Sequence, residues 1–263
     1  MAASVGVALW MGLILSSSPT DGGAQSIAES LQALSAYCGS SVRRTNSGFA
    51  CNRCPPGTRY ENSATRVNVS VLQRGSFSDG SHEEVILIAD LAPCMETDVS
   101  RAILMRKEEG RWTVKSSLDE VAAEWCETVA AGGRKVCVCS VMGFSMGQLV
   151  QGVFALTAID GQLKMSDLIS LTSDEGECPP FPERSRLMLS YSRPSFEGNR
   201  ENLIMSVVKR QHLAGEERKG RCRTVPGTTR STKFRLVFVA KDGAFSLARE
   251  SEDDAAKLTD FKE

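Results

Sequence analysis

The chain has 263 residues, of which 41% are hydrophobic, and its formal net charge is −1 at neutral pH. The hydrophobic fraction supports a folded core and excludes an intrinsically disordered chain. Because acidic and basic residues are nearly balanced, we expect no nucleic-acid binding and no charge-driven attachment to anionic lipid.

The first 24 residues have the organisation of a secretory signal peptide. An apolar run over residues 5–15 is followed by a polar spacer and by Gly22, Gly23 and Ala24, the small residues that signal peptidase requires. The apolar run is shorter than the ~20 residues of a membrane-spanning helix. We therefore predict cleavage after Ala24, a secreted or periplasmic protein, and no stable membrane span after cleavage.

Residues 25–64 are predicted to form a helix and a cysteine-containing loop. Ser26 and Glu29 have the spacing of a capping box, and Gly39 is a suitable helix end. Between them, one helical face carries the apolar residues Ile27, Leu31, Leu34 and Cys38. The polar stretch over residues 39–64 is rich in Gly, Pro, Ser and Asn, which predicts a loop.

Residues 65–250 are predicted to form a mainly β domain. Three hairpin turns are indicated by Glu109-Gly110, Asp160-Gly161 and Asp242-Gly243. Two further strand candidates precede each hairpin: residues 66–72 and 85–91, then 123–129 and 135–141, then 186–192 and 202–209. We predict three four-stranded antiparallel units and favour an arrangement as propeller-like blades, with a sandwich as the alternative. For the acidic tail, residues 251–263, we predict either a frayed end or one short helix.

A possible nucleophile lies in the middle of this domain. Residues 143–147 match G-x-S-x-G, the nucleophile elbow of α/β-hydrolases, with Ser145 as nucleophile and His212 downstream. An elbow requires a helix after the serine, but residues 148–159 contain β-branched residues and end at a hairpin turn. We therefore interpret residues 143–147 as a turn between strands and keep a serine hydrolase as the alternative function.

Nine cysteines follow the predicted cleavage site, and in an oxidising compartment they favour disulfides. Because nine is odd, at least one of them has no partner within the chain. A hairpin loop over residues 130–133 brings Cys126 towards Cys137 and Cys139, so we expect Cys126 to pair with one of these two.

The other cysteines leave more alternatives open. We expect Cys178 to pair with Cys222, and Cys38, Cys51 and Cys54 are further disulfide candidates. A zinc site that combines the C-x-x-C of Cys51 and Cys54 with other thiolates is geometrically conceivable. The export signal and the absence of a second C-x-x-C favour disulfides instead, so we predict neither a metal site nor a cofactor.

The order of several short motifs resembles a group of uncharacterised secreted or periplasmic bacterial proteins over roughly residues 85–250. The motifs are Pro93-Cys94, Gly110-Arg111-Trp112, Trp125-Cys126, residues 133–137, Asp160-Gly161, residues 234–238 and residues 242–245. This resemblance implies a turn between strands at residues 143–147 and implies no activity. Together with the residue patterns, it leads us to expect a non-enzymatic, disulfide-stabilised β domain that binds a protein or a cell-envelope component.

Overall fold

The structure is a computed structural model that describes residues 22–39, 42–45, 48–78, 81–96, 100–145, 148–174, 187–199, 201–218 and 221–260. These residues form a mainly β protein with antiparallel sheets, as predicted, and with two α-helices, α1 (Gly22–Tyr37) and α2 (Glu252–Thr259). Short 3₁₀ segments occur at Ala92–Cys94 and Arg249–Ser251. Among the helices of these ranges, none is long and apolar enough to cross a membrane.

The described strands form three sheets in which every pairing is antiparallel. The first sheet contains, in spatial order, β1 (Val42–Thr45), β2 (Gly48–Cys51), β3 (Val67–Gly75), β4 (Glu84–Asp90), β5 (Ser100–Glu108) and β6 (Arg111–Asp119). The second sheet is a meander of β7 (Trp125–Ala131), β8 (Arg134–Ser145), β9 (Gln148–Ile159) and β10 (Gln162–Ser173).

The third sheet is built around one long strand. Its strands are β11 (Leu187–Tyr191), β12 (Ser195–Gly198), β13 (Asn202–Arg218), β14 (Arg221–Thr224), β15 (Arg230–Lys241) and β16 (Ala244–Leu247). The order is β11-β13-β15-β16, and β12 and β14 also pair with β13. Each predicted four-stranded unit thus lies within one sheet, and the first and third sheets carry two additional strands each.

Alternate residues of single strands contribute to different apolar cores. In β4, Leu87 packs with α1 in one core, whereas Ile86 faces residues of the second sheet in another. In β8, Cys137 and Cys139 belong to the core shared with the first sheet, and Val138 belongs to the core shared with the third sheet. The central strands β8 and β9 are therefore apolar on both faces, which explains their nearly continuous hydrophobic sequences.

The predicted hairpin turns are confirmed. Both central residues have positive φ in Glu109-Gly110 (49° and 78°), Asp160-Gly161 (49° and 73°) and Asp242-Gly243 (52° and 75°). Positive φ at both positions is the signature of two-residue type I′ turns, whose twist matches that of the flanking strands. Gly132 and Gly133 form a fourth turn of this kind between β7 and β8.

Two predictions about the N-terminal region were wrong. Helix α1 already begins at Gly22, so Ser26 lies within the helix and is not its N-cap. The predicted loop contains the hairpin β1–β2, which forms because β2 pairs with β3 at the edge of the first sheet. Its polar sequence is explained by the position of β1, whose Arg43 and Arg44 are exposed. At the other end, α2 fits the helical alternative for the acidic tail.

Candidate binding cleft and cysteine cluster

A cleft of about 980 Å³ lies where the three sheets meet. The first sheet contributes Arg74 and the residues around the β3–β4 connection, the second contributes the β7–β8 hairpin, and the third contributes the end of β12. We define the cleft by its lining residues Arg74, Gly75, Ser76, Ser81, His82, Glu83, Ala130, Ala131, Gly133, Arg134, Lys135, Gly198 and Asn199.

Backbone contacts between the sheets fix the walls of the cleft. The N–H of Lys135 donates to the carbonyl oxygen of Ser76 at 3.3 Å, and the N–H of Gly132 donates to the carbonyl oxygen of Asn199 at 3.1 Å. Gly198 is required for this approach because a Cβ atom there would lie 2.0 Å from the carbonyl oxygen of Ala130. The cleft is therefore a product of the way the sheets pack and not of one loop.

A buried carboxylate supports the loop beside the cleft. Glu84 is fully buried and accepts hydrogen bonds from the N–H groups of Phe77 at 2.7 Å and Ser78 at 2.9 Å. Arg106 also donates to this carboxylate, at 2.8 Å. A buried carboxylate is tolerated when it has such partners, so Glu84 orders the start of the β3–β4 connection.

The cleft carries more positive than negative charge. Arg74 forms ion pairs with Glu29 and Glu83, and Lys107 also pairs with Glu83, at 3.1 Å. By contrast, no carboxylate among the described residues lies within ion-pairing distance of Arg134 or Lys135.

The two cations without a carboxylate partner are held in different ways. The guanidinium of Arg134 donates to the carbonyl oxygen of Ala158 at 3.0 Å. Lys135 is exposed, and its aliphatic stem lies close to Gly75, which leaves the ammonium group available at the cleft. An anionic group entering the cleft would therefore meet the ammonium group of Lys135, with Arg134 next to it in the chain, and no described carboxylate neutralises either cation.

Ser145 and His212 are not arranged as the hydrolase hypothesis requires. Ser145 is the last residue of β8 and pairs with Gln148, and residues 148–159 form the antiparallel strand β9. His212 lies on β13 of a different sheet, where it pairs with Met188. A nucleophile elbow is a strand–turn–helix element, so the G-x-S-x-G match does not have the structure that gives the motif its chemistry.

Three disulfides are present in the described part of the chain: Cys38–Cys51, Cys54–Cys94 and Cys126–Cys139. Cys94 was not among the cysteines predicted to form disulfides. The expected Cys178–Cys222 pair cannot be compared, because Cys178 and the side chain of Cys222 lie outside the described residues.

Strand register explains why Cys126 is joined to Cys139. The Gly132-Gly133 turn places Ala131 opposite Arg134, and counting outward from the turn puts Cys126 directly opposite Cys139 with Cα atoms 4.1 Å apart. Cys137 lies opposite Thr128 instead, so its Cα is on a diagonal to that of Cys126. The choice of Cys139 over Cys137 could have been predicted from the sequence, because a two-residue turn at Gly132-Gly133 determines which residues of β7 and β8 lie opposite each other.

Cys137 remains a free thiol inside the protein. It is fully buried, and its Sγ lies 3.6 Å from the Sγ of Cys139. Burial raises the pKa of the Cys137 thiol far above its ordinary value, so the thiol is protonated and unreactive in the oxidised protein. The three sulfur atoms of Cys126, Cys137 and Cys139 lie within 4.8 Å of one another, and we call these residues the cysteine cluster.

Comparisons with known proteins do not identify the chain: no protein-family model, no curated protein and no solved structure matches it. No named family therefore supports the resemblance to secreted or periplasmic bacterial proteins. Interpretation of function depends on the cleft and on the cysteine chemistry alone.

Proposed function

We propose that this protein is an exported, non-enzymatic β domain that binds an acidic segment of a partner protein in the cleft between its three sheets. The observation that carries this proposal is the pair of cations, Arg134 and Lys135, that line the cleft without a carboxylate partner among the described residues. Complementary charge in a concave site raises both association rate and specificity for an anionic ligand.

The rest of the lining favours a peptide over a uniformly anionic polymer. Glu83 also lines the cleft, but its carboxylate is paired with Arg74 and Lys107, so only Arg134 and Lys135 are left to balance a polymer that carries a negative charge at every repeat. A peptide has backbone N–H groups and carbonyl groups in addition to its acidic side chains. These groups match the mixed lining, which includes the amide of Asn199 and the small, apolar side chains of Ala130 and Ala131.

Export is supported by the N-terminal sequence and by the chemistry of the cysteines. Disulfides persist in oxidising compartments, and six of the nine cysteines are joined in the described part of the chain. We therefore keep the secreted or periplasmic location and the signal peptide over residues 1–24 as part of the proposal. Of the two predicted arrangements we favour a layered sandwich, because alternate residues of β8 serve two different cores.

The binding proposal is tested with the purified full chain and a fluorescein-labelled peptide in which glutamate alternates with glycine. Binding is followed by fluorescence anisotropy at low and physiological salt. We expect Lys135→Glu to weaken binding about tenfold, which corresponds to about 1.4 kcal/mol, because the substitution reverses an exposed charge at the cleft. The matched control is Lys233→Glu, which reverses the charge of an exposed lysine on β15 that does not line the cleft.

Three outcomes would count against the proposal. Absence of salt-sensitive peptide binding by the native protein would overturn it directly. Equal weakening by Lys135→Glu and Lys233→Glu would place the binding outside the cleft. Tighter binding of inorganic polyphosphate than of the peptide, with the same dependence on Lys135, would replace the acidic protein segment by a phosphate polymer as the ligand.

A further inference from the structure

We propose that the cysteine cluster becomes a binding site for a thiophilic divalent ion of the zinc type when the Cys126–Cys139 disulfide is reduced. Cys137 is not part of a disulfide, but its sulfur atom lies 3.6 Å from that of Cys139, which is disulfide-bonded. All three sulfur atoms are already gathered in one place by the β7–β8 hairpin. The proposed peptide binding does not use this arrangement.

The spacing of the sulfur atoms suits a single metal ion. Zinc–thiolate bonds of about 2.3 Å in a tetrahedral site give sulfur–sulfur distances of about 3.8 Å. The Cys137 and Cys139 sulfur atoms are 3.6 Å apart, and all three sulfur atoms lie within 4.8 Å. Cys137 and Cys139 lie on the same face of β8, and Cys126 lies opposite Cys139, so small side-chain rotations bring the three ligands around one ion.

Binding is controlled by the redox state, because two of the three ligands are joined in the oxidised protein. A dithiol reductant supplies two electrons and two protons, becomes a disulfide itself, and converts Cys126–Cys139 into two thiols. The divalent ion then displaces three protons from the three thiols and forms three metal–sulfur bonds. The resulting site has a net charge of −1, in accordance with thiolate ligands being deprotonated when they bind a metal.

The structure offers a route for both the reductant and the ion. Cys126 is partly exposed, whereas the four cysteines of the other two described disulfides are buried. It lines a second cavity of about 980 Å³, between α1, the β1–β2 hairpin, β3 and β7. Solvent in this cavity can provide the fourth ligand, as water does in three-ligand zinc sites. Arg44 and Glu127 also line the cavity, and Arg44 offsets part of the negative charge near the site.

The proposal is tested by titrating the full chain with Cd²⁺, a spectroscopic probe for thiolate ligands, after reduction with a phosphine. A phosphine is used because free dithiols compete for the metal. We expect one Cd²⁺ per chain with a thiolate-to-metal charge-transfer band, displaced by Zn²⁺. We expect at least ~100-fold weaker binding in Cys137→Ser, since even the loss of an outer-sphere contact costs 10–100-fold. The oxidised protein should bind neither ion at this site.

A second variant and a second measurement separate ligand loss from misfolding. Cys137→Val keeps a buried apolar side chain of similar size in β8 and should retain the native far-ultraviolet circular dichroism while losing the Cd²⁺ band. In the reduced native chain, Cd²⁺ should protect Cys126, Cys137 and Cys139 from alkylation, as read by peptide mapping. Unchanged Cd²⁺ affinity in folded Cys137→Val, or protection confined to other cysteines, would overturn the proposal.

Discussion

The two ends of the described chain are attached to the sheets by different chemistry. At the N-terminal end, α1 packs on the first sheet, whose edge is the β1–β2 hairpin. The Cys38–Cys51 disulfide joins the end of α1 to β2, and the Cys54–Cys94 disulfide joins the segment after β2 to the segment after β4. At the C-terminal end, α2 lies against the third sheet without a disulfide, and Leu258 is its fully buried side chain.

Hydrogen bonds take the place of the disulfides at the C-terminal end. The buried Lys209 of β13 donates to the carbonyl oxygens of Lys257 and Asp260, both at 2.7 Å. Tyr191 of β11 donates to the carbonyl oxygen of Leu258 at 3.0 Å. These donors satisfy carbonyl groups that the end of a helix leaves without partners. We infer that the polar segment around the β1–β2 hairpin needs disulfides to stay folded. Helix α2 is held by its buried leucine and by hydrogen bonds from β11 and β13.

The largest expected effect comes from removing a disulfide of the N-terminal layer. We expect Cys54→Ala with Cys94→Ala to lower the free energy of unfolding by roughly 4 kcal/mol, and Cys38→Ala with Cys51→Ala by roughly 3 kcal/mol. The order follows from the sequence separations of 40 and 13 residues, because the longer loop loses more chain entropy when it is closed. Urea denaturation of both double variants measures the difference. A larger loss for Cys38 and Cys51 would contradict this account.

A smaller effect is expected from Lys209→Met at the C-terminal end. The substitution keeps the length of the side chain but leaves two carbonyl groups at the end of α2 without their donor, which should cost about 2 kcal/mol. Lys233→Met is the matched control, since Lys233 is an exposed residue of β15 and its replacement should change stability by less than about 0.5 kcal/mol. Thermal unfolding of the two variants distinguishes them. Equal melting temperatures would show that Lys209 does not hold α2.

A still smaller loss of about 1 kcal/mol is expected from Tyr191→Phe, because it removes one hydrogen bond to α2 without creating a cavity. The effect should be local, with faster amide exchange in α2 than in the native protein. Combining Tyr191→Phe with Lys209→Met should give a non-additive loss, because both donors hold the same helix end. Strict additivity in a double-mutant cycle would mean that the two contacts act independently.

We expect alkaline pH to destabilise the packing of both ends of the chain over the same pH range. Burial raises the pKa of Tyr37 in α1 and of Tyr191 in β11 to about 12, with a further contribution from Asp174 to Tyr191. A tyrosine that titrates near pH 10 when unfolded and near pH 12 when folded contributes stability that is present below pH 10 and is lost as the pH rises to 12. Stability measured from pH 9 to pH 12 should fall less steeply in Tyr37→Phe and Tyr191→Phe. Unchanged slopes would contradict these shifts.

The antiparallel strands were predictable because their signals are local. Glu109-Gly110, Asp160-Gly161 and Asp242-Gly243 require left-handed backbone, which few other residue pairs adopt readily. The turn at Gly132-Gly133 likewise determines the strand register that places Cys126 opposite Cys139. The start of α1 was missed because Ser26 has the pattern of a cap, but the helix continues through it to Gly22.

The cleft and the Cys54–Cys94 disulfide depend on distant parts of the chain. Arg74 and Lys135 come from different sheets, and only the fold determines that Glu29 and Glu83 neutralise one and not the other. Cys54 and Cys94 are separated by two strands of the first sheet. No spacing rule connects such residues, so neither feature could be derived from the sequence alone.

The most direct test of the contrast between the two ends is hydrogen exchange of a variant without the N-terminal disulfides, in which Cys38, Cys51, Cys54 and Cys94 are all replaced by alanine. We expect loss of protection in α1 and the β1–β2 hairpin, with native protection retained in the second sheet and in α2. Equal loss of protection in α2, or unchanged protection in α1, would contradict the claim that disulfides hold one end and hydrogen bonds the other.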